Sequence, residues 1–250
     1  MTKLKHLDLF SGIGGFSLGL ERTNGFETVA FCEIDPFCQK VLKKHWPDVP
    51  IHEDVRSLDY DGTIDIITGG FPCQDLSCAG KQAGIDGEKS GLWGFMFKHI
   101  GKLRPKYVIV ENVTALLSGD SGKWFGRLLS DLASIRYGAE WHCIRACALG
   151  LPHSRNRVWI IAYPNEIRPA NNRTFLNKTA IRDSWEASKP IVGNPSWEWL
   201  LTNGDMRDFR KDNGLPQAAH RIGALGNSII PQIPEIIGHA ILEAECHVAS

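Results

Sequence analysis

Short apolar runs alternate with amphipathic stretches over the first part of the chain. Three of these runs have the length and composition of β-strands: Lys5 to Phe10, Glu27 to Cys32 and Ile64 to Thr68. Two stretches between them have apolar residues at helical spacing: Phe16 to Thr23 and Phe37 to His45, the second preceded by Pro36. This order predicts parallel strands joined by crossover helices.

The same alternation continues as far as Ala162. Its predicted elements are a helix at Leu92 to Leu103, a strand at Tyr107 to Val110 that ends at Glu111, a helix at Trp124 to Ile135, and strands at Glu140 to Ala148 and Arg157 to Ala162. The short connection Gly150-Leu151-Pro152 is suited to antiparallel pairing of the last two strands. We therefore predict an α/β fold with a doubly wound, mostly parallel, Rossmann-like sheet and helices on both faces.

The periodic pattern stops at Pro164 and returns near Ile222. From Pro164 to Pro216, asparagines, tryptophans and isolated charges are interleaved without helical or strand spacing. Pro231 to Ala244 then predicts a closing helix. The expected organisation is one large domain, formed by residues 1–163 and 217–250, with a small separate region at 164–216.

Composition and charge narrow the class of protein. The 250 residues are 43% hydrophobic and 22% charged, which is typical of soluble globular proteins. Lys and Arg number 28, as do Asp and Glu, so no global field attracts a polyanion and any nucleic-acid contact must be local. The N-terminus lacks an apolar signal core and the apolar runs are too short to span a bilayer, so we expect a cytoplasmic protein with no membrane partner.

The cysteines predict free thiols and no metal site. All seven lack regular spacing, which favours a reducing compartment over a disulfide framework. His142, Cys143 and Cys147 are the nearest approach to a zinc motif, but a second cysteine pair is missing. We therefore expect no metal in this protein.

A glycine turn joins the first predicted strand to the first predicted helix. Gly12 and Gly14 fit two positions of the dinucleotide fingerprint, but Ser17 stands at the third, which disfavours a nicotinamide dehydrogenase. Glu33 ends the second strand, where a carboxylate can accept hydrogen bonds from ribose hydroxyls. Asp54 can accept a hydrogen bond from an adenine amino group. The pattern favours a nucleoside site, although a plain tight turn with solvated carboxylates remains an alternative.

A cysteine and a glutamate follow two neighbouring predicted strands. Cys73 stands in Gly70-Phe71-Pro72-Cys73-Gln74, at the carboxyl edge of the sheet where a nucleophile would meet a bound cofactor. Glu111 ends the next strand and would face the same pocket. Arg155 and Arg157 are candidate cations to favour the thiolate. The alternatives are a buried structural cysteine and a glutamate that caps a helix.

These segments, taken in order, resemble the motifs of the C5-cytosine DNA methyltransferases, especially the compact enzymes of bacteria and phages. The resemblance covers Leu4 to Tyr163 and Ala218 to about Ala244. The matching segments are Asp8 to Phe16, Glu33, Asp54, Gly70 to Gln74, Glu111 to Val113, Arg155 with Arg157, and Gly226 to Ser228.

The resemblance implies that S-adenosylmethionine is the cofactor and assigns the catalytic roles. Cys73 would attack C6 of a flipped-out cytosine, and Glu111 would protonate N3. Arg155 and Arg157 would stabilise charge on the base carbonyl, while Gln74 and Asn112 would hold the water that removes the C5 proton. The implied cofactor-binding residues are Phe10, Ser11, Gly12, Gly14, Gly15, Glu33, Ile34, Asp54, Val55, Pro72, Leu92, Asn227 and Ser228.

The chain departs from the pattern of the family at two places. His153 stands where the family usually has Gln, and the region at 164–216 is short for a target-recognition domain. The resemblance implies double-stranded DNA as substrate and a monomeric enzyme, with a cognate restriction endonuclease as a functional partner that forms no stable complex. An RNA cytosine-5 methyltransferase and a catalytically inactive DNA-binding homologue remain the alternatives.

Overall fold

The computed structural model describes residues 2–72, 91–146, 155–167 and 227–248. Several predicted features lie outside these ranges: Cys73, Gln74, Cys147, His153, residues 168–216 of the separate region, and Gly226.

The N-terminal part of the chain alternates strands with helices. Its elements are β1 (Leu4–Leu9), α1 (Gly15–Arg22), β2 (Phe26–Cys32), α2 (Pro36–His45), β3 (Ile51–His52) and β4 (Ile66–Gly69). Helix α2 begins where the sequence predicts, because Pro36 fits the first helical turn and the Asp35 carboxylate accepts hydrogen bonds from the N–H groups of Phe37 and Cys38.

The second part of the chain completes the sheet and its helical layers. Its elements are α3 (Leu92–Leu103), β5 (Tyr107–Val113), α4 (Ala115–Ser118), a 3₁₀ turn (Gly119–Gly122), α5 (Lys123–Ser134), β6 (Tyr137–Arg145), β7 (Asn156–Pro164) and α6 (Gln232–Val248). Within the described ranges, no helix has the length and apolar character needed to cross a membrane.

The strands form one seven-stranded sheet in the order β3-β2-β1-β4-β5-β7-β6. The first five strands in this order are parallel, whereas β7 runs antiparallel to both β5 and β6. The predicted α/β class, with a mostly parallel sheet and a final antiparallel pair, is confirmed. The strand order reverses between β1 and β4, and ligands of such sheets bind outside the carboxyl ends of the strands at this point.

Apolar side chains pack on both faces of the sheet. On one face, Leu7 and Leu9 of β1 belong to a buried cluster with residues of α3 and α5. On the other face, Phe26 of β2 and Ile66 of β4 share a cluster with residues of α1 and α6. The helices therefore cover both faces, as the doubly wound prediction requires.

Strand β5 is longer than predicted, which corrects the position of Glu111. We expected a strand from Tyr107 to Val110 with Glu111 at its end. The strand instead continues to Val113, because β7 pairs beside it and places Glu111 opposite Trp159. Glu111 therefore projects from within a strand, where the two neighbouring backbones fix its direction.

Two further predictions need correction. Strand β6 runs from Tyr137 to Arg145 and was expected at Glu140 to Ala148; Ala146 lies just after it, and positions 147 and 148 are outside the described residues. The closing helix extends to Val248, beyond the predicted end at Ala244. Strand β3 was not predicted, because two residues are too few to show a period.

Candidate active site

The glycine turn adopts a backbone that most side chains would not permit. Gly12 and Gly14 have φ angles of 54° and 86°, in the left-handed region. A Cβ on Gly15 would lie 2.6 Å from the carbonyl oxygen of Ile229, so the returning chain approaches the turn closely. A Cβ on Gly12 would meet no described atom within 4 Å. The turn therefore has packed neighbours on one side and open space beside Gly12.

Glu33 lies against this turn, as the sequence predicts. Its Oε2 accepts a hydrogen bond of 2.6 Å from the N–H of Gly12, and its Oε1 accepts one of 2.8 Å from the N–H of Asp35. Each carboxylate oxygen keeps a further lone pair for a ligand hydroxyl. Ile34, beside it, has 64% of its surface exposed and offers an apolar contact at the same edge.

Asp54 lies on the same edge of the sheet, two strands from the turn. The pairing of β3 with β2, extended by a 2.9 Å hydrogen bond from the N–H of Glu33 to the carbonyl of His52, brings the Asp54 segment beside Glu33. Arg56 contacts the Asp54 carboxylate at 2.6 Å, and its hydrogen bonds hold the pKa of Asp54 below the ordinary value. Arg56 was not among the predicted site residues, although a positive charge two positions after Asp54 was a visible signal in the sequence.

Glu111 forms the centre of a buried ion cluster. Only 7% of the residue is exposed, and its Oε1 lies 3.2 Å from Nη2 of Arg155 and 3.0 Å from Nε of Arg157. Burial raises the pKa of Glu111, and the two guanidinium groups oppose this increase without cancelling it. The carboxyl can therefore take up or release a proton closer to neutral pH than an exposed glutamate.

Arg155 joins this cluster to the returning C-terminal segment. Its Nη1 donates a hydrogen bond of 2.7 Å to the carbonyl of Ser228, and its Nη2 lies 3.4 Å from the carbonyl of Asn227. Burial lowers the pKa of Arg155, against the stabilising effect of Glu111. We expected the two arginines to favour a thiolate at Cys73; in the described residues they pair with Glu111.

The segment that leads to Cys73 lies against strand β5. Strands β4 and β5 are paired, with Gly69 opposite Val110, and a Cβ on Gly70 would lie 3.5 Å from Oε2 of Glu111. The amide of Asn112 donates a hydrogen bond of 3.2 Å to the carbonyl of Phe71 and accepts one of 2.8 Å from the N–H of Val113. The catalytic glutamate candidate and the start of the cysteine loop are therefore neighbours.

The remaining predicted cofactor residues divide by exposure. Ser11 and Val55 are buried, Phe10, Leu92 and Ser228 are half-buried, and Pro72 and Asn227 are exposed. The open space beside Gly12, the oxygens of Glu33 and the apolar surface of Ile34 are chemically suited to the ribose and adenine of a nucleoside. Among the described residues, no three His, Cys, Asp or Glu side chains are grouped as metal ligands would be.

Known proteins are similar to this chain in both sequence and fold. A family model described as C-5 cytosine-specific DNA methylase matches residues 4–221. The chain is 40% identical over 163 residues to the type II methyltransferase M2.BsuMI of Bacillus subtilis strain 168, covering 64% of this chain and 42% of the relative. It is 37% identical over 195 residues to the type II methyltransferase M1.ScrFI of Lactococcus lactis subsp. cremoris, covering 77% and 48%.

A crystal structure shows the same architecture. A DNA modification methyltransferase encoded within an E. coli prophage superposes with a TM-score of 0.56 at 26% sequence identity, covering 66% of this chain and 47% of that one. The chain thus spans about half the length of the relatives that it matches.

Proposed function

Because the chain belongs to the family of C-5 cytosine-specific DNA methylases, we propose that it transfers a methyl group from S-adenosylmethionine to C5 of a cytosine in duplex DNA. The observation that carries this proposal is the buried Glu111, held by two arginines directly beside the segment that leads to Cys73. This arrangement supplies an acid next to a nucleophile, which methylation at an unreactive carbon requires.

The proposed reaction begins with addition of the Cys73 thiolate to C6 of the cytosine. The Glu111 carboxyl gives its proton to N3 as the C6–S bond forms, so that the ring becomes a neutral enamine with a nucleophilic C5. When bound, S-adenosylmethionine would supply an electrophilic methyl group for C5, with the neutral thioether as the leaving group. A base removes the C5 proton, the C6–S bond breaks, and N3 returns its proton to Glu111. The target base must leave the duplex stack to reach these groups.

The two arginines have a positioning role in this scheme. The shortest contacts of Arg155 and Arg157 with Glu111 are both to Oε1, whereas Oε2 lies on the side of Gly70. We assign proton transfer to this oxygen. The positive charges of Arg155 and Arg157 would also stabilise negative charge on the base carbonyl, as the resemblance implies.

The cofactor site is assigned to the carboxyl edge of β1, β2 and β3. The turn around Gly12 would lie against the cofactor, Glu33 would accept hydrogen bonds from the ribose, and Ile34 and Asp54 would contact the adenine. Asn112 would hold the Phe71 carbonyl, and with Gln74 would retain the water that removes the C5 proton. Residues 164–216 are assigned to target recognition; almost all of them lie outside the described residues.

Labelled S-adenosylmethionine tests the proposal when the protein is offered matched duplex DNA and RNA of the same sequence. We expect the label to enter DNA, and bisulfite sequencing then identifies the modified cytosines. Incorporation into RNA alone would instead support the RNA methyltransferase alternative. No incorporation, together with intact cofactor binding, would support the inactive homologue.

Two cysteine variants test the covalent step. Cys73→Ser should abolish methylation while leaving cofactor affinity unchanged, because the hydroxyl is a far poorer nucleophile than a thiolate. Cys143→Ser is the matched control, since Cys143 is an exposed free thiol on β6. Full methylation by the Cys73 variant would contradict the proposed route.

A further inference from the structure

A continuous chain of buried polar side chains lies beneath the glycine turn, and the proposed reaction makes no use of it. It comprises His6 and Asp8 of β1, Thr28 of β2, Thr68 of β4 and Ser17 of α1, all at most 3% exposed. Buried polar groups are costly unless they are hydrogen-bonded, and residues of this kind in a sheet centre are usually apolar. Their presence therefore needs a reason beyond core packing.

Asp8 is the hub of this chain. Its Oδ2 accepts a hydrogen bond of 2.9 Å from Oγ of Ser17, and its Oδ1 accepts one of 2.8 Å from Oγ1 of Thr68. Its main-chain carbonyl accepts a third bond of 2.6 Å from Oγ of Ser11. One residue thus holds the glycine turn at Ser11, the following helix at Ser17, and strand β4 at Thr68.

His6 completes the chain on the side away from the turn. Its Nε2 lies 2.7 Å from Oγ1 of Thr68, and its Nδ1 lies 3.3 Å from Oγ1 of Thr28. While Asp8 is ionised, Thr68 gives its hydroxyl proton to Asp8, so the Nε2 of His6 carries the proton and donates it to Thr68, and Nδ1 accepts from Thr28. His6 therefore fixes the direction in which the Thr68 hydroxyl points.

The two partners of the Asp8 carboxylate lead to the two halves of the proposed active site. Ser17 lies in the first turn of α1, directly after the glycine turn that would receive the cofactor. Thr68 stands just before Gly69 and Gly70, at the start of the segment that leads to Cys73. Reacting groups held on two separate loops must be aligned closely, since small displacements cost much of the rate.

We propose that Asp8 is a positioning residue that fixes the cofactor turn, through Ser17, relative to the nucleophile loop, through Thr68. The inference rests on the proposed function, because it assigns the cofactor and the nucleophile to these two loops. Burial raises the pKa of Asp8 to about 7, because the ionised carboxylate is unfavourable away from water.

Variants that remove one hydroxyl at a time separate the two connections. Thr68→Val keeps the shape of the side chain, and we expect it to lower kcat by about tenfold or more with little change in cofactor affinity. Thr68→Ser restores the hydroxyl and should recover most of that loss. Ser17→Ala should instead raise the Kd for S-adenosylmethionine severalfold and leave kcat at saturating cofactor nearly unchanged.

Thr28→Val is the matched control, because Thr28 contacts His6 and neither loop. The Thr28→Val variant should change the unfolding temperature but neither kcat nor the Kd for S-adenosylmethionine. This is the result expected when a residue contributes only to packing. Asp8→Leu removes both connections and should show both effects. Calorimetric titration with S-adenosylmethionine, steady-state kinetics on DNA and thermal unfolding together provide the three readouts.

Equal losses of kcat in Thr68→Val and Thr28→Val would overturn the proposal, as would losses that only follow the unfolding temperature. If the Thr68 variant does not fold, Ser17→Ala decides, and an unchanged Kd refutes the turn connection. A wild-type protein that binds the cofactor but methylates no DNA would refute the proposed function instead, and the Ser17→Ala titration would still test Asp8.

Discussion

At the scale of single residues, Glu111 combines burial with close contacts to two arginines. Its carboxyl keeps a raised pKa despite two adjacent guanidinium groups, because burial opposes ionisation more than they favour it. A group held in this balance can act as an acid and later recover its proton. The same balance makes its removal informative.

We predict that Glu111→Gln lowers kcat by about a hundredfold or more, since general acid catalysis typically contributes that much. Gln keeps the size and the hydrogen-bonding capacity of the side chain but has no proton to give to N3. Cofactor affinity, measured by calorimetry, should be retained. Glu140→Gln is the control, as Glu140 is also a buried glutamate of the sheet and contacts His142. Equal turnover in wild type and Glu111→Gln would contradict the assigned role.

Asp8 and His6, the two ionisable residues of the buried polar chain, also determine how the free energy of unfolding depends on pH. Burial, with a smaller contribution from Glu33, raises the pKa of Asp8 from 3.8 to about 7. Burial lowers the pKa of His6 from 6.5 to about 3. Between roughly pH 4 and 6.5 the folded pair carries its proton on Asp8 and the unfolded pair carries it on His6, so their effects on the free energy of unfolding cancel.

Replacing either Asp8 or His6 should reveal how the other residue makes the free energy of unfolding depend on pH. In Asp8→Asn only the unfolded state binds a proton in this range, so relative to wild type the free energy of unfolding should fall by about 1.4 kcal/mol for each unit of acidification below pH 6.5. His6→Gln should behave oppositely and lose stability as the pH rises from 4 towards 7. Urea unfolding at several pH values measures both, and curves parallel to wild type would contradict the assignment.

At the scale of elements, the contact between α1 and the returning C-terminal segment positions the glycine turn. Both belong to one apolar cluster on the same face of the sheet. A Cβ on Gly19 would collide with the carbonyl oxygen of Pro231 and come within 2.9 Å of Cβ of Pro234. The absence of a side chain at Gly19 therefore sets how closely α6 approaches α1.

We predict that Gly19→Ala destabilises the protein by about 1–3 kcal/mol, the usual cost of overpacking, and weakens cofactor binding by moving the segment beside Gly15. Gly101→Ala is the matched control in helix α3, where a Cβ would meet no described atom within 4 Å. That variant should be neutral or stabilising by up to about 1 kcal/mol, because alanine favours helix more than glycine does. Chemical denaturation of the two variants provides the comparison.

The sequence predicted the elements that depend on local pattern and missed those set by distant partners. Helix α3 has the predicted bounds because Pro105 ends it and its apolar spacing is regular. The extension of β5 through Glu111 depends on pairing with β7, which no local pattern reveals. The short β3 exists only because β2 lies beside it.

The candidate site divides in the same way. Residue type and order indicated Glu33, Glu111 and the two arginines, and the structure brings each to the expected edge of the sheet. The hydrogen bonds of Arg155 to the 227–228 carbonyls and those of Asp8 to Thr68 join residues far apart in sequence. The roles of Cys73 and Gln74, which lie outside the described residues, stay predictions.

At the scale of the whole molecule, the last helix closes the fold against the base of the central sheet. Glu245 of α6 accepts a hydrogen bond of 2.9 Å from the hydroxyl of Tyr107 and contacts Nζ of Lys106 at 3.1 Å. Burial, with Glu245 contributing, raises the pKa of Tyr107 well above its ordinary value. The start of β5 is thereby fixed to the C-terminal helix, at the end of the strand opposite Glu111.

We predict that Glu245→Ala lowers the free energy of unfolding by about 1–2 kcal/mol, because the half-buried hydrogen bond from Tyr107 is lost. Tyr107→Phe removes the same bond from the other side. The double variant should therefore be less destabilised than the sum of the single ones. Strict additivity in thermal unfolding would show that the two groups do not interact.

The hydrogen bond from Arg155 to the carbonyl of Ser228 joins residues that are 73 positions apart in the chain. During translation, Glu111 and both arginines emerge well before the carbonyls that complete their setting. A ribosome must therefore reach position 228 before the contacts of Arg155 can form. Products of premature termination ahead of position 227 would therefore carry every proposed catalytic side chain and still lack that contact.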